Sequence, residues 1–195
     1  MEVFFVRHGE SVANLLNETS VPETPLSERG IADAINAGKL LKGKFDRVFV
    51  SPYLRARQTQ QYALPDANAE VVDCIHELYL GDAEGYPYAQ LFEKFPLFSY
   101  HCEVDDFSDY NGETYDQLRQ RVRSFMQILQ STNAGRIVVF SHAGFILTFF
   151  DEVMQRKEKP GRNIRCDNGS VSLFIFDGEK WEVGAFNLTH NLLNA

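Results

Sequence analysis

The chain has 195 residues, 44% hydrophobic and 24% charged, an ordinary globular composition and enough length for one sizeable core, since domains usually run to roughly 100–200 residues. Nineteen basic residues against 27 acidic ones give a net charge of −8, which argues against general affinity for nucleic acid or anionic lipid but leaves room for a locally basic pocket and a small anionic substrate. No apolar stretch approaches the ~20 residues of a membrane span, and Val3 to Val6 is shorter than the about 7–15 apolar residues of a secretory signal.

Val3 to Val6 reads as a short buried strand, ended abruptly by Arg7, His8 and Gly9. "TPLSERG" introduces a helix, with Ser27 as N-cap, an apolar face of Ile31, Ala34, Ile35, Leu40 and Leu41, and Gly43 as its stop. Val48 to Val50 is a second strand, followed by a helix from Leu54 to Tyr62, and "EVVDCI" a third strand. Residues 79–110 break the alternation. They hold nine of the 25 aromatics, dense enough for either a satellite core or a pocket wall. "NGETYDQL" then starts a helix with Tyr115, Leu118, Val122, Phe125 and Leu129 on one face. "RIVVFSH" is a fourth strand and "AGFILTFFDEVMQ" a buried helix. "SVSLFIF" and "EKWEVGAF" form a hairpin around Asp177-Gly178, a type I′ turn signal. Strands alternating with helices predict an α/β fold: three layers, a mainly parallel central sheet with helices on both faces, and a C-terminal β-hairpin. The expected organisation is one domain over 1–195, carrying an aromatic-rich insertion at about 79–112. Cys74, Cys102 and Cys166, odd in number and without CxxC spacing, favour a reducing cytoplasm over a disulfide framework.

In open α/β sheets, ligands bind beyond the carboxyl ends of the strands. Those ends deliver Arg7 and His8, then Arg55 and Arg57, then Glu77, then His142 before a helix start at Ala143-Gly144. Singly, each has an ordinary structural explanation: an ion pair, a solvated helix face, a loop carboxylate, a cap. Core packing gives no reason for all of them to fall at one edge. The set suits phosphoryl transfer. Two guanidiniums bind a phosphoryl group. A neutral imidazole whose other nitrogen is held is a nucleophile. A carboxylic acid protonates the leaving oxygen and then serves as base.

"VRHGES" with Asn14, "TPLSERG", "SPYLRARQT", "HELYLGDAEG", "NGETYDQL", "VVFSHAG" and the closing "DNGSVSLFIF" and "FNLTHNL" together resemble the histidine phosphatase superfamily, the phosphoglycerate mutase-like enzymes, nearly end to end. The resemblance implies that His8 takes the phosphoryl group. It places Arg7, Asn14, Arg55, His142 and the N–H of Ala143 around the phosphate, and makes Glu77 the proton donor. It implies no cofactor and no metal, arginine charge standing in for Mg²⁺. Glu10 and Arg57 lie nearby without such roles, Arg57 being held as a rim residue. Two departures stand out: Ala83 precedes Glu84-Gly85 where the family often has tryptophan, and Ala143 follows His142 where it often has glycine. The expected function is a phosphomonoesterase for a small phosphorylated metabolite, without nucleic-acid or membrane partners. The alternatives are a cofactor-dependent phosphoglycerate mutase, disfavoured because the segment after Glu77 has only Lys94 as a basic residue, and a non-catalytic phospho-ligand binder. A metal site at His101-Cys102 with Asp105 and Asp106 is weaker than a solvated acidic loop. Tyr86 and Tyr88, beside Gly85 and Pro87, are the candidate specificity residues.

Overall fold

The apolar run at the start of the chain forms β1 (Glu2–Arg7), and its position explains much of the architecture. It lies inside the sheet, parallel to β4 (Arg136–Ser141) on one side and antiparallel to β5 (Val171–Phe176) on the other. With β2 (Arg47–Val50), β3 (Glu70–Val71) and β6 (Trp181–Leu188), the described residues build a six-stranded sheet in the order β3-β2-β4-β1-β5-β6. This computed structural model describes residues 1–156 and 163–190.

Side chains alternate across a strand, and here the alternation feeds two separate cores. Val3, Phe5, Ile137, Val139 and Phe174 face α6 (Tyr115–Ser131) and α7 (Ala143–Val153), packing on Leu118, Val122, Phe125, Leu129, Phe145 and Phe149. Val6, Val48, Val50, Val138 and Phe140 face α2 (Glu28–Leu40) and α3 (Leu54–Ala63). The result is the expected three layers. Phe5 is fully buried among the rings of Phe125, Phe145, Phe149 and Phe174, and truncating such a side chain to alanine costs ~3–5 kcal/mol.

Local signals held where a side chain closes a helix end. Ser27 caps α2 by accepting the Gly30 N–H at 3.0 Å, and Thr114 with Gln117 forms a capping box on α6. Four expectations need correction. The apolar face of α2 is only partly the predicted one: Ala34 and Leu41 are buried, but Ile35 is 46% exposed, and Gly30 and Ala37 complete the buried face. Small residues are needed because α2 runs so close to α3 that a Cβ on Gly38 would lie 2.4 Å from the Ala63 carbonyl oxygen. The third strand shrinks to two residues at the sheet edge, and Asp73–Ile75 is a 3₁₀ turn. Helix α7 ends at Val153, two residues early, and Gln155 takes a positive φ. The hairpin turn is not type I′: Gly178 has φ +111 but Asp177 and Glu179 do not join it in positive φ, and the Asp177 carboxylate accepts the N–H groups of Glu179 and Lys180.

The aromatic segment contains α4 (Tyr88–Lys94) and α5 (Phe98–Val104). Ala83, Leu91, Phe95, Phe98 and Phe107 form a satellite core there, while Tyr79, Tyr88, Phe92 and Tyr100 remain exposed. His101 is buried in this cluster, its Nδ1 donating to the Asp106 carbonyl. Among the described residues no group of three or more His, Cys, Asp or Glu side chains is placed to hold a metal. No helix of the described residues is long and apolar enough to cross a membrane.

Candidate active site

Because β1 and β4 are parallel neighbours in register, Arg7 pairs with Ser141, and the residues that follow each strand emerge side by side. His8 donates its backbone N–H to the Ser141 carbonyl (3.0 Å). The His8 and His142 rings then sit 5.1 Å apart. The segment after His8 is held tightly. Gly9 N–H donates to Thr59 Oγ1 (3.0 Å), and the Thr59 hydroxyl donates to the Arg55 carbonyl (2.7 Å). One threonine thereby ties the His8 turn to the helix carrying the second arginine. Gly9 is required here: its Cβ would lie 2.2 Å from the Gly30 carbonyl oxygen.

His8 is buried, and its Nδ1 donates to the Gly9 carbonyl at 2.7 Å. A carbonyl can only accept, so Nδ1 carries the proton and Nε2 keeps its lone pair. Burial first, then the positive charges of Arg55 and Arg7, hold the His8 pKa well below the usual histidine value. His142 is depressed for the same leading reason, burial, with Arg55 and His8 adding to it. Its Nε2 lies 2.8 Å from Ser51 Oγ, and Tyr53 packs against its ring at 5.2 Å while Arg55 lies over the Tyr53 ring at 4.9 Å.

The two arginines are fixed by backbone carbonyls. Arg7 Nη1 donates to Cys166 O (2.5 Å), and Arg55 Nη1 to Val21 O (3.0 Å). Arg7 Nε, Arg55 Nε and His142 Nδ1 are buried without a hydrogen-bond partner among the described residues. Asn14 lies on α1 (Val12–Leu16); its Oδ1 accepts from Ser11 N–H (3.1 Å) and Asn168 Nδ2 (3.3 Å), which leaves the Asn14 amide NH₂ as a donor. Glu77 stands at the start of α7: its carboxylate accepts the Leu78 N–H (3.0 Å) and the Gly144 N–H (3.3 Å). A Cβ on Gly144 would lie 2.4 Å from Glu77 Oε1, so glycine there lets the carboxylate reach the helix end.

Arg7, His8, Asn14, Arg55, Glu77 and Gly144 line a cavity of about 360 Å³. Leu78, Leu80, Leu118, Leu147 and Tyr88 line the same cavity. His142 and Ala143 stand behind this surface, Ala143 opening α7. Tyr86 does not line the cavity; its ring packs on Phe95 and its hydroxyl meets Lys94. Arg57 is exposed on α3, away from the cavity lining. Glu10 turns away, accepting from Ser27 Oγ (2.7 Å) and facing Arg29.

Sequence reasoning missed Arg121. From α6 it forms a two-bond pair with Glu113 (2.6 and 2.7 Å) and donates to the carbonyls of Cys74 (2.6 Å), His76 (3.1 Å) and Glu77 (3.4 Å). The one available signal was an acidic residue before a helix cap and an arginine two turns later, which by itself reads as an ordinary surface pair. Glu84 also lines the cavity, and burial pushes its pKa up to about 7.

Two histidines, two arginines and a carboxylate gathered at the carboxyl ends of the parallel strands suit phosphoryl transfer. Comparison with known proteins agrees. Residues 3–189 match the histidine phosphatase superfamily (branch 1), and the chain belongs to that family. It is similar to the adenosylcobalamin/alpha-ribazole phosphatase of Escherichia coli K12, 29% identical over 181 residues and covering 88% of each chain. The Salmonella typhimurium LT2 protein of the same name is 32% identical over 155 residues, covering 75% of this chain and 76% of that one. The crystal structure of the alpha-ribazole phosphatase from Shigella flexneri superposes with a TM-score of 0.84 at 26% identity, over 96% of both chains. The chain is thus a hydrolase acting on phosphomonoesters.

Proposed function

We propose that the reaction runs through a phosphohistidine at His8. One observation supports this most directly: a neutral imidazole, its Nδ1 locked on Gly9 and its Nε2 free, lies between two guanidiniums whose Nε donors are unspent. His8 Nε2 attacks phosphorus as the bond to the leaving oxygen breaks, and Glu77, protonated at that stage, gives its proton to that oxygen. Water then attacks the phosphohistidine. Glu77 takes the water's proton, the N–P bond breaks, and His8 returns to its neutral form. Arg7, Arg55 and the Asn14 amide bind the non-bridging oxygens throughout. With Ser51 Oγ donating to Nε2, His142 keeps its proton on Nδ1 and presents it to the same phosphate, and the Ala143 N–H opens α7 beside it. Arginine charge does here what a metal ion does in other phosphatases. Among the described residues the cavity lining holds no further cation to bind a second phosphate, which favours hydrolysis over mutase chemistry.

The working picture is a cytoplasmic enzyme, independent of nucleic acid, built as one unit with residues 79–112 as an insertion beside the site. Tyr88, on the cavity wall, is the better specificity candidate of the two tyrosines. Alpha-ribazole phosphate, from the names of the relatives, is the first metabolite to assay. The decisive test is brief incubation with a phosphomonoester followed by mass analysis under alkaline conditions. An acid-labile adduct on His8, and undiminished turnover in a chelator, are expected. An adduct on Ser11 or Ser51, or activity restored only by Mg²⁺, would contradict the mechanism.

A further inference from the structure

Beyond the phosphate end, the cavity carries charge of the wrong sign for an anion. Glu18, Glu84 and Asp105 line it together with the leucines and Tyr88. The only cations in the described lining are Arg7 and Arg55, and the dianionic phosphate neutralises both. Glu84 is half-buried. One carboxylate oxygen accepts the Leu80 N–H at 3.3 Å, and no described residue forms a salt bridge with it. Its cap, a single backbone N–H, compensates little of the cost of removing a carboxylate from water. Its raised pKa reflects that desolvation.

Arg55 attracts Glu84 electrostatically without forming a salt bridge, and the bound phosphate engages that arginine. A desolvated carboxylate without a salt-bridge partner, lining the same cavity as the phosphate groups, is a binding element for a cation. Resting on the phosphomonoesterase reading above, we propose that Glu84 selects substrates by charge: the site takes phosphomonoesters whose alcohol portion carries an amino group, and rejects those bearing a second phosphate or a carboxylate. A bound ammonium group would give Glu84 its missing partner within a partly water-excluded wall, where ion pairing is stronger than in bulk solvent. A second anion would face Glu18 and Glu84 together, and like charges at close range discriminate strongly between partners. The leucines and Tyr88 then cover the carbon skeleton between the two charged ends.

The test uses three aryl phosphates of similar size and leaving-group strength: 4-(aminomethyl)phenyl, 4-ethylphenyl and 4-(carboxymethyl)phenyl phosphate. Wild-type kcat/KM should fall in that order, the amine exceeding the carboxylate by on the order of tenfold or more. Glu84→Gln and Glu84→Ala should each narrow that ratio severalfold, which separates a charge effect from a loss of packing. A wild-type enzyme that does not prefer the amine overturns the proposal. So does a ratio that survives in both variants, or in whichever of them folds. Failure to hydrolyse any of the three, with no adduct on His8, would instead defeat the phosphomonoesterase reading and the proposal with it. Turnover without charge preference defeats the proposal alone.

Discussion

At the scale of single residues, the site separates groups by the state in which they must be held. His8 and His142 are kept neutral by burial and by cationic neighbours, which suits one to attack phosphorus and the other to donate a hydrogen bond. Glu77 is treated differently, since its carboxylate rests on two backbone N–H groups, one of them at the first turn of α7. Those two donors fix where the carboxylate stands at the cavity wall. Glu77→Gln removes the proposed proton donor and keeps the shape. It should slow an alkyl phosphate by ~10²-fold or more, within the usual range for general acid catalysis, and 4-nitrophenyl phosphate far less. Steady-state kinetics on the two substrates checks this; equal slowing would assign Glu77 to binding. These residues were visible in the sequence because each ends a strand inside a short, dense motif. Glu84 was visible only as half of the Glu84-Gly85 pair, because its significance depends on what surrounds it in space.

At the scale of elements, the least readable part is the stretch from Val72 to Glu77. "EVVDCI" has strand composition, yet after Val72 the backbone leaves the sheet: the Val72 and Asp73 carbonyls accept within the 3₁₀ turn, and those of Cys74, His76 and Glu77 accept from the Arg121 guanidinium. Periodicity cannot reveal a backbone whose hydrogen bonds end on a side chain 44 residues away. The same holds for α2, where close approach to α3 selects glycine and alanine over the longer side chains that hydropathy favours. Helices α4 and α5 are seven residues each and lack side-chain caps, so they left no local mark either. Arg121 is a positioning residue: it fixes the segment that aims Glu77. Arg121→Met breaks a nearly buried pair with Glu113 and should cost ~3 kcal/mol or more of stability. Adding Glu113→Leu should recover much of that stability by removing the unpaired charge. The rate on alkyl phosphates should stay low in the double variant with KM little changed, because the three carbonyls still lack their donor. Thermal denaturation and kinetics, measured together, separate the two effects; a double variant with wild-type kcat would make the arginine purely structural.

At the scale of the whole molecule, alternation along β1 and β4 made the three layers readable, because each strand feeds two apolar faces. The strand order was not readable, since it is set by which helices cross which face. Burying two neutral histidines also gives the fold a pH signature. Both have native pKa values below the unfolded value of about 6.5, so as pH falls through 6.5 the unfolded chain binds protons that the native chain does not. Their contribution to stability is complete above about pH 6.5 and declines below it. Glu84, raised to about 7, works in the opposite direction over part of the same range, so the comparison has to be made against a variant. The Tm of wild type relative to His8→Ala should be higher at pH 7.5 than at pH 5.5; a difference independent of pH would show that His8 is not held neutral. One further consequence follows from the place of β1 in the sheet. Its neighbours begin at Arg136 and Val171, and the turn bearing His8 is held by Ser141, Asn168 and Gly169. As the ribosome extends the chain, His8 is made before Ser141, Asn168 and Gly169, and its turn waits without these hydrogen-bond partners until they follow. Until β4 and β5 arrive, the edges of β1 are open to any other strand or chaperone that reaches them first.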